Sequence, residues 1–161
     1  MKKILLVLIL TGGLYWAYKS FSRHQAKPFP TKETTTLPAA PAPEAPVAGK
    51  TFNKLFPGSA DGFSVQFTQE KEGYAQADLL KGGKKLAQFS VSDTEANPTA
   101  RDKFKDSTKK IGGHASAAVG SMGTAVLVAG RYQVQVRSTD PSFTAADREA
   151  WITKFKFGDL K

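Results

Sequence analysis

The rhythm of apolar and polar positions changes three times along the 161 residues. After the basic start Met1-Lys2-Lys3, no charge interrupts residues 4–18, a run of Ile, Leu and Val closed by Tyr15, Trp16 and Tyr18. As a helix this run spans roughly 22 Å, or about 27 Å if it continues to Phe21. A bilayer core measures about 30 Å, so the pattern predicts a short span aided by local thinning or by snorkelling of Lys19. The three aromatics sit at the outer end, where amphipathic rings favour the headgroup region. A cleaved signal peptide is the alternative, and it requires a small-x-small site. Thr11-Gly12-Gly13 leaves only seven apolar residues before it, and a cut after Ala17 puts bulky Tyr15 at the third position upstream. The expectation is an uncleaved signal anchor over residues 1–25, with the N-terminus inside. That orientation rests on the export-signal layout, because charges on both flanks leave the positive-inside rule nearly silent.

Residues 26–50 lose all periodicity. Pro28, Pro30, Pro38, Pro41, Pro43 and Pro46 recur among Ala, Thr, Lys and Glu. Proline fixes φ and removes an amide donor, so the stretch favours extended polyproline II with a reach on the order of 75 Å. It reads as a linker, and its composition resembles the Pro/Ala linkers of cell-envelope proteins.

Globular patterning fills residues 51–161. Phe52, Leu55 and Phe56 form an apolar patch, read as one helical turn docked on the domain. Phe63, Val65 and Phe67 alternate with Ser64, Gln66 and Thr68, the period-two signature of a half-buried strand. Ala75, Ala77 and Leu79 continue the alternation, and Ala87, Phe89 and Val91 return after Lys81-Gly82-Gly83-Lys84, a tight hairpin signal. Asn97-Pro98 predicts a helix start, running through Arg101 and Phe104 to about Lys109 or Lys110 and stopped by Gly112-Gly113. Further strands are expected over residues 115–119, 125–128 and 132–136. Thr144 to Asp147 opens a last helix with a capping-box variant, burying Trp151, Ile152 and Phe155. The resulting expectation is an α+β domain in βββα-βββα order. It has an antiparallel sheet of about six strands packed against two helices.

Charge refines this picture only near the membrane. The net charge is +9. Residues 1–49 carry six basic and two acidic side chains, a net +4 flanking the apolar run, and the other seventeen basic and twelve acidic residues leave +5. Nucleic-acid binding calls for a dense basic stripe with interleaved aromatics, and only the small clusters Lys81, Lys84, Lys85 and Lys109, Lys110 occur. The absence of cysteine removes disulfides, thiolate metal sites, a thiol nucleophile and a lipidated cysteine. His24 and His114 lack ligand spacing, and no elbow motif pairs a nucleophile with His114. Glu70, Glu72, Asp78, Asp93, Glu95 and Asp140 fall in turns or on polar strand faces. Gly120-Ser121-Met122-Gly123 lacks the context of a phosphate loop and reads as a turn. No catalytic residue, metal or cofactor is assigned.

The segment 131–137 is the least ordinary. Arg131, Gln133, Gln135 and Arg137 fall on one face of a strand whose other face carries Tyr132, Val134 and Val136. Two Arg and two Gln make a long-reaching, hydrogen-bonding stripe suited to a protein partner. The functional expectation is a non-enzymatic component of a bacterial-type inner membrane. It is single-pass, with its domain in the periplasm or outside the cell, and binds another protein, within a larger membrane assembly. The alternative is a secreted periplasmic protein that binds a small or lipidic ligand between sheet and helices.

Overall fold

Period-two alternation becomes strand wherever it occurs after residue 60. In the computed structural model, which describes residues 44–160, β1 (Phe63–Lys71), β2 (Tyr74–Lys81) and β3 (Lys84–Asp93) form one meander. A long connection leads to a second, β4 (Lys110–Ile111), β5 (His114–Val119), β6 (Gly123–Val128) and β7 (Tyr132–Ser138). The strands lie in the order β1-β2-β3-β7-β6-β5-β4, and every pairing is antiparallel. The class is α+β, with seven strands where about six were expected. The signal anchor expected over residues 1–25, and the linker as far as residue 43, lie outside the described residues.

The extra strand replaces the end of an expected helix. Between Asn97 and Lys110 the chain forms a 3-10 helix over Pro98–Phe104 and then becomes extended. Asn97 provides no cap for a backbone amide; its Oδ1 accepts from the Thr99 hydroxyl at 2.7 Å. Only Phe104 is buried in this helix, too thin an apolar face to hold an α-helix by packing. Further on, the Ser107 hydroxyl bonds the carbonyls of Lys109 and Ser116 at 3.0 and 2.5 Å. A serine that bonds the backbone in this way favours extended or turn structure over helix. Gly112-Gly113, at φ 59° and 86°, therefore turns the β4–β5 hairpin and caps no helix.

One face of the sheet is apolar. Ala75, Ala77 and Leu79 of β2, Ala87, Phe89 and Val91 of β3, Val134 and Val136 of β7, and Val126 and Val128 of β6 are all buried. Two short segments cover them. At the C-terminal end, α2 (Ala145–Ile152) starts with the expected reciprocal capping box of Thr144 and Asp147. It brings Trp151 and then Phe155 to ring-centroid distances of 5.5 Å from Phe89. The other cover comes from before β1. There α1 (Gly49–Phe52) runs into a 3-10 turn, Asn53–Leu55, so that Phe52, Leu55 and Phe56 are buried as expected. Phe52 packs on Tyr132, Phe56 packs on Phe155, and the Lys156 amide donates to the Leu55 carbonyl at 2.9 Å. Each large side chain so buried contributes about 1.5–3 kcal/mol of transfer free energy.

The first cover lies close against the backbone of the β1–β2 hairpin. A Cβ on Gly49 would stand 2.4 Å from the Lys71 carbonyl oxygen and 2.6 Å from that of Tyr74. Gly49→Ala is therefore expected to destabilise the domain by about 1–3 kcal/mol. Gly58→Ala, where a Cβ meets nothing within 4 Å, should be near neutral. Denaturant unfolding of both variants measures the difference.

Candidate functional site

The stripe read from the sequence divides in the structure. Tyr132, Val134, Val136 and Ser138 of β7 are buried, and Gln133, Gln135 and Arg137 alternate with them on the opposite face. Antiparallel register sets these three into cross-strand rows. Gln133 stands between Ser92 and Leu127, Gln135 between Ser90 and Ala125, and Arg137 between Gln88 and Gly123. The rows continue onto β2 through Tyr74, Gln76 and Asp78. This outer face is polar over β2, β3 and β7, and apolar over β6 and β5, where Leu127, Ala125, Ala117 and Ala115 lie. Several of its side chains bond one another: Tyr74 to Gln76 at 2.7 Å, Gln76 to Thr68 at 2.9 Å, and Gln133 to Gln135 at 3.3 Å. Two groups remain uncommitted among the described residues. Arg137 is exposed and forms no ion pair, and Gln133 Oε1 is buried without a donor.

Arg131 stands apart from the other three. It occupies the turn before β7, and its guanidinium closes on Asp93 through Nε and an Nη at 2.8 and 2.7 Å. It also pairs with Glu44 and donates to the Ala45 carbonyl. The Asp93 side chain is 1% exposed. Burial alone would raise its carboxyl, but the Arg131 bonds and the amides of Glu95 and Val47 outweigh that cost and hold it below the usual carboxylate range. The Asp93 bonds in turn raise the Arg131 guanidinium further. Arg131 is thus engaged in holding the fold, a role its alternation with Gln133 does not reveal.

Of the acidic residues weighed for acid–base work, besides Asp93, four sit in separate pairs. Glu70 accepts from Asn53 at 2.6 Å, Asp78 pairs with Lys85 at 2.8 Å, Glu95 with Arg101 at 2.8 Å, and Asp140 with Lys84 at 2.5 Å. His114 opens β5 and packs edge-on against Phe157, with ring centroids 4.9 Å apart. Among the described residues no cluster of three His, Cys, Asp or Glu side chains has metal-binding geometry. None of their helices is long and apolar enough to cross a membrane.

Three recesses open around the helix side of the sheet. One lies beside α1, lined by Pro46, Gly49, Lys50 and Glu70. Another, of about 430 Å³, lies at the edge of Trp151 between Phe63, Lys81 and Phe143. The third, of about 350 Å³, lies between α2 and the β5–β6 hairpin, and Arg148 lines it. Nothing in the sequence distinguishes Arg148 from a solvated helix residue; its burial becomes visible only once α2 meets β6 and β7.

The chain matches no protein-family model, no curated protein and no solved structure. Its functional reading therefore rests on the geometry of these surfaces.

Arg131→Met is expected to destabilise the domain by about 3 kcal/mol, because it strands a buried carboxylate. Arg137→Ala, on the exposed outer face, should change stability by less than about 0.5 kcal/mol. Equilibrium denaturation compares the two. Asp93 and Asp147 lie below the ordinary carboxylate value, and Asp140 is lowered to about 2 by its bonds to Lys84 and Ser142. Depressed carboxylates stabilise the fold above the unfolded value of about 3.9 and lose that contribution as they protonate. The unfolding midpoint should therefore be level near neutrality and fall as pH drops below about 4. A midpoint that rises on acidification would contradict this assignment.

Proposed function

We propose that the chain is a membrane-anchored, non-enzymatic protein-binding module of the cell envelope. In this reading the signal anchor of residues 1–25 holds it in a bacterial-type inner membrane as a single pass. The Pro-rich stretch spaces the domain from that membrane, on the periplasmic side or outside the cell. Confinement near a membrane raises the effective concentration of the domain for a neighbouring membrane protein.

The observation that carries the reading is the outer face of the sheet. Long amide and guanidinium side chains stand there in register, and among the described residues Arg137 and Gln133 Oε1 have no partner of their own. A protein that offers a carboxylate to the exposed Arg137 is the partner this face suits. A lipidic ligand between sheet and helix finds less support, because the rings of Phe89, Trp151 and Phe155 fill the centre of that seam.

Site-specific photo-crosslinking of the full chain in its own membranes tests the proposal. A crosslinker at Gln135 should yield one discrete adduct, which Arg137→Glu abolishes without changing the amount of folded protein. No adduct, or one that survives Arg137→Glu, would remove the outer face as the contact surface. The anchor has its own test. The full chain should resist alkaline extraction from membranes, whereas a soluble product beginning near Leu14 would establish cleavage instead.

A further inference from the structure

Arg148 is 7% exposed, yet it forms no ion pair among the described residues. Its acceptors are neutral. Nε donates to Thr124 Oγ1 at 3.0 Å and one Nη to Ser138 Oγ at 2.8 Å. The Ser138 hydroxyl in turn donates a hydrogen bond to the Phe143 carbonyl at 2.5 Å. A guanidinium carries five N–H donors, so these two bonds leave three without a protein acceptor, and the unbonded Nη is open to solvent, not sealed in the core. A buried charge with neutral acceptors only is costly unless an opposite charge or water meets it.

The side chain lines the cavity of about 350 Å³ between α2 and the β5–β6 hairpin. Besides Arg148, Ser121 lines this space from the exposed β5–β6 turn, with no side-chain hydrogen bond among the described residues, and the Thr124 hydroxyl accepts from Arg148 while its proton stays uncommitted. The single carboxylate on the wall, Glu149, is held by Lys109 at 2.5 Å. Arg148 and Lys109 against Glu149 leave one net positive charge in a lining that otherwise offers donors. Ile111, Ala118 and Ala145 supply apolar wall beside them. Gly120 and Ser121 form the rim, so the Gly-Ser turn between β5 and β6 adjoins a buried cation.

We propose that this cavity binds a small organic carboxylate. Its carboxylate group lies on Arg148, Thr124 and Ser121, and its body lies against Ile111 and Ala145. The guanidinium fork fits carboxylate and phosphate alike, and the one net positive charge of the lining matches a carboxylate monoanion better than a phosphate dianion. The volume also falls in the range of small-molecule sites and leaves room for a body beyond the anionic group. The site lies beside α2 and is independent of the outer face, so either assignment stands without the other.

Nuclear magnetic resonance of the isotope-labelled full chain in micelles tests this, with sodium butyrate and inorganic phosphate as probes at ionic strength held constant with sodium chloride. Butyrate should shift the Arg148 Nε–H and the Ser121 and Thr124 amides saturably, and at lower concentration than phosphate does. Because Arg148 also holds Thr124 and Ser138, Ser121→Asp on the exposed turn is the decisive variant. It should weaken butyrate binding by about tenfold or more through like-charge repulsion, with the unfolding midpoint unchanged. Shifts that never saturate would overturn the site, as would butyrate binding undiminished in Ser121→Asp. Tighter binding of phosphate would overturn the carboxylate assignment.

Discussion

Four donors converge on the Asp93 carboxylate, two from Arg131 and one each from the amides of Val47 and Glu95. Asp93 ends β3 and stands opposite Tyr132, the first residue of β7. The cluster therefore locks the register of the one pairing that joins the two meanders. Val47 brings in the segment that leads to α1, which sets Phe52 against Tyr132. Thr94 extends the cluster by donating to the Arg131 carbonyl and accepting from Arg101 Nε at 2.7 Å, and Arg101 also pairs with Glu95. Sheet register, the first cover of the core and the start of the long connection thus depend on one buried carboxylate and its arginine. In water such a pair contributes little, whereas here the loss of either partner leaves the other desolvated.

The two faces of the sheet have opposite fates. The inner face is covered by two short segments from the two ends of the domain, and they meet each other through Phe56 and Phe155. Neither is long enough to be stable as an isolated helix, so each exists because the sheet offers it an apolar floor. The outer face has no such cover among the described residues, and its apolar positions over β5 and β6 are mostly alanine, with Leu127 and Val119 beside them. A surface rich in amide-bearing side chains can hydrogen-bond a chosen partner, as the proposed protein-binding role requires.

Strands were legible because their signal is local. A residue that alternates between water and core declares its face with its neighbours alone, and β2, β3 and β7 follow the alternation, whereas β6 is a short continuous apolar run buried along nearly its whole length. The Thr144–Asp147 cap is equally local. The middle helix was misread because Asn97-Pro98 and Gly112-Gly113 resemble a start and a stop, while the side-chain bonds that pull Ser107 out of a helix involve Ser116 across a hairpin. Gly49 carried no signal either, since the carbonyls that exclude a Cβ there belong to Lys71 and Tyr74. The stripe was placed correctly on β7 for Gln133, Gln135 and Arg137. Arg131 departed from it because Asp93, remote in sequence, is the stronger attraction. Arg148 was invisible for the same reason, its surroundings being assembled from β5, β6, β7 and α2.

Strand order has a consequence for how the molecule is made. A chain growing from its N-terminus completes β1, β2 and β3 as a contiguous meander, but the partner of β3 is β7, the last strand to emerge. Until Tyr132 and the residues after it are available, the edge of β3 that will become the centre of the sheet bears unpaired amides and carbonyls beside Ala87, Phe89 and Val91. Such an edge accepts any extended chain. β4, β5 and β6 cannot close it, because in the finished sheet they lie beyond β7. Assembly of this domain is therefore back-loaded: the middle of the sheet cannot exist until its last strand is available, and a helper that shields β3 in the interval would act on a surface absent from the native protein.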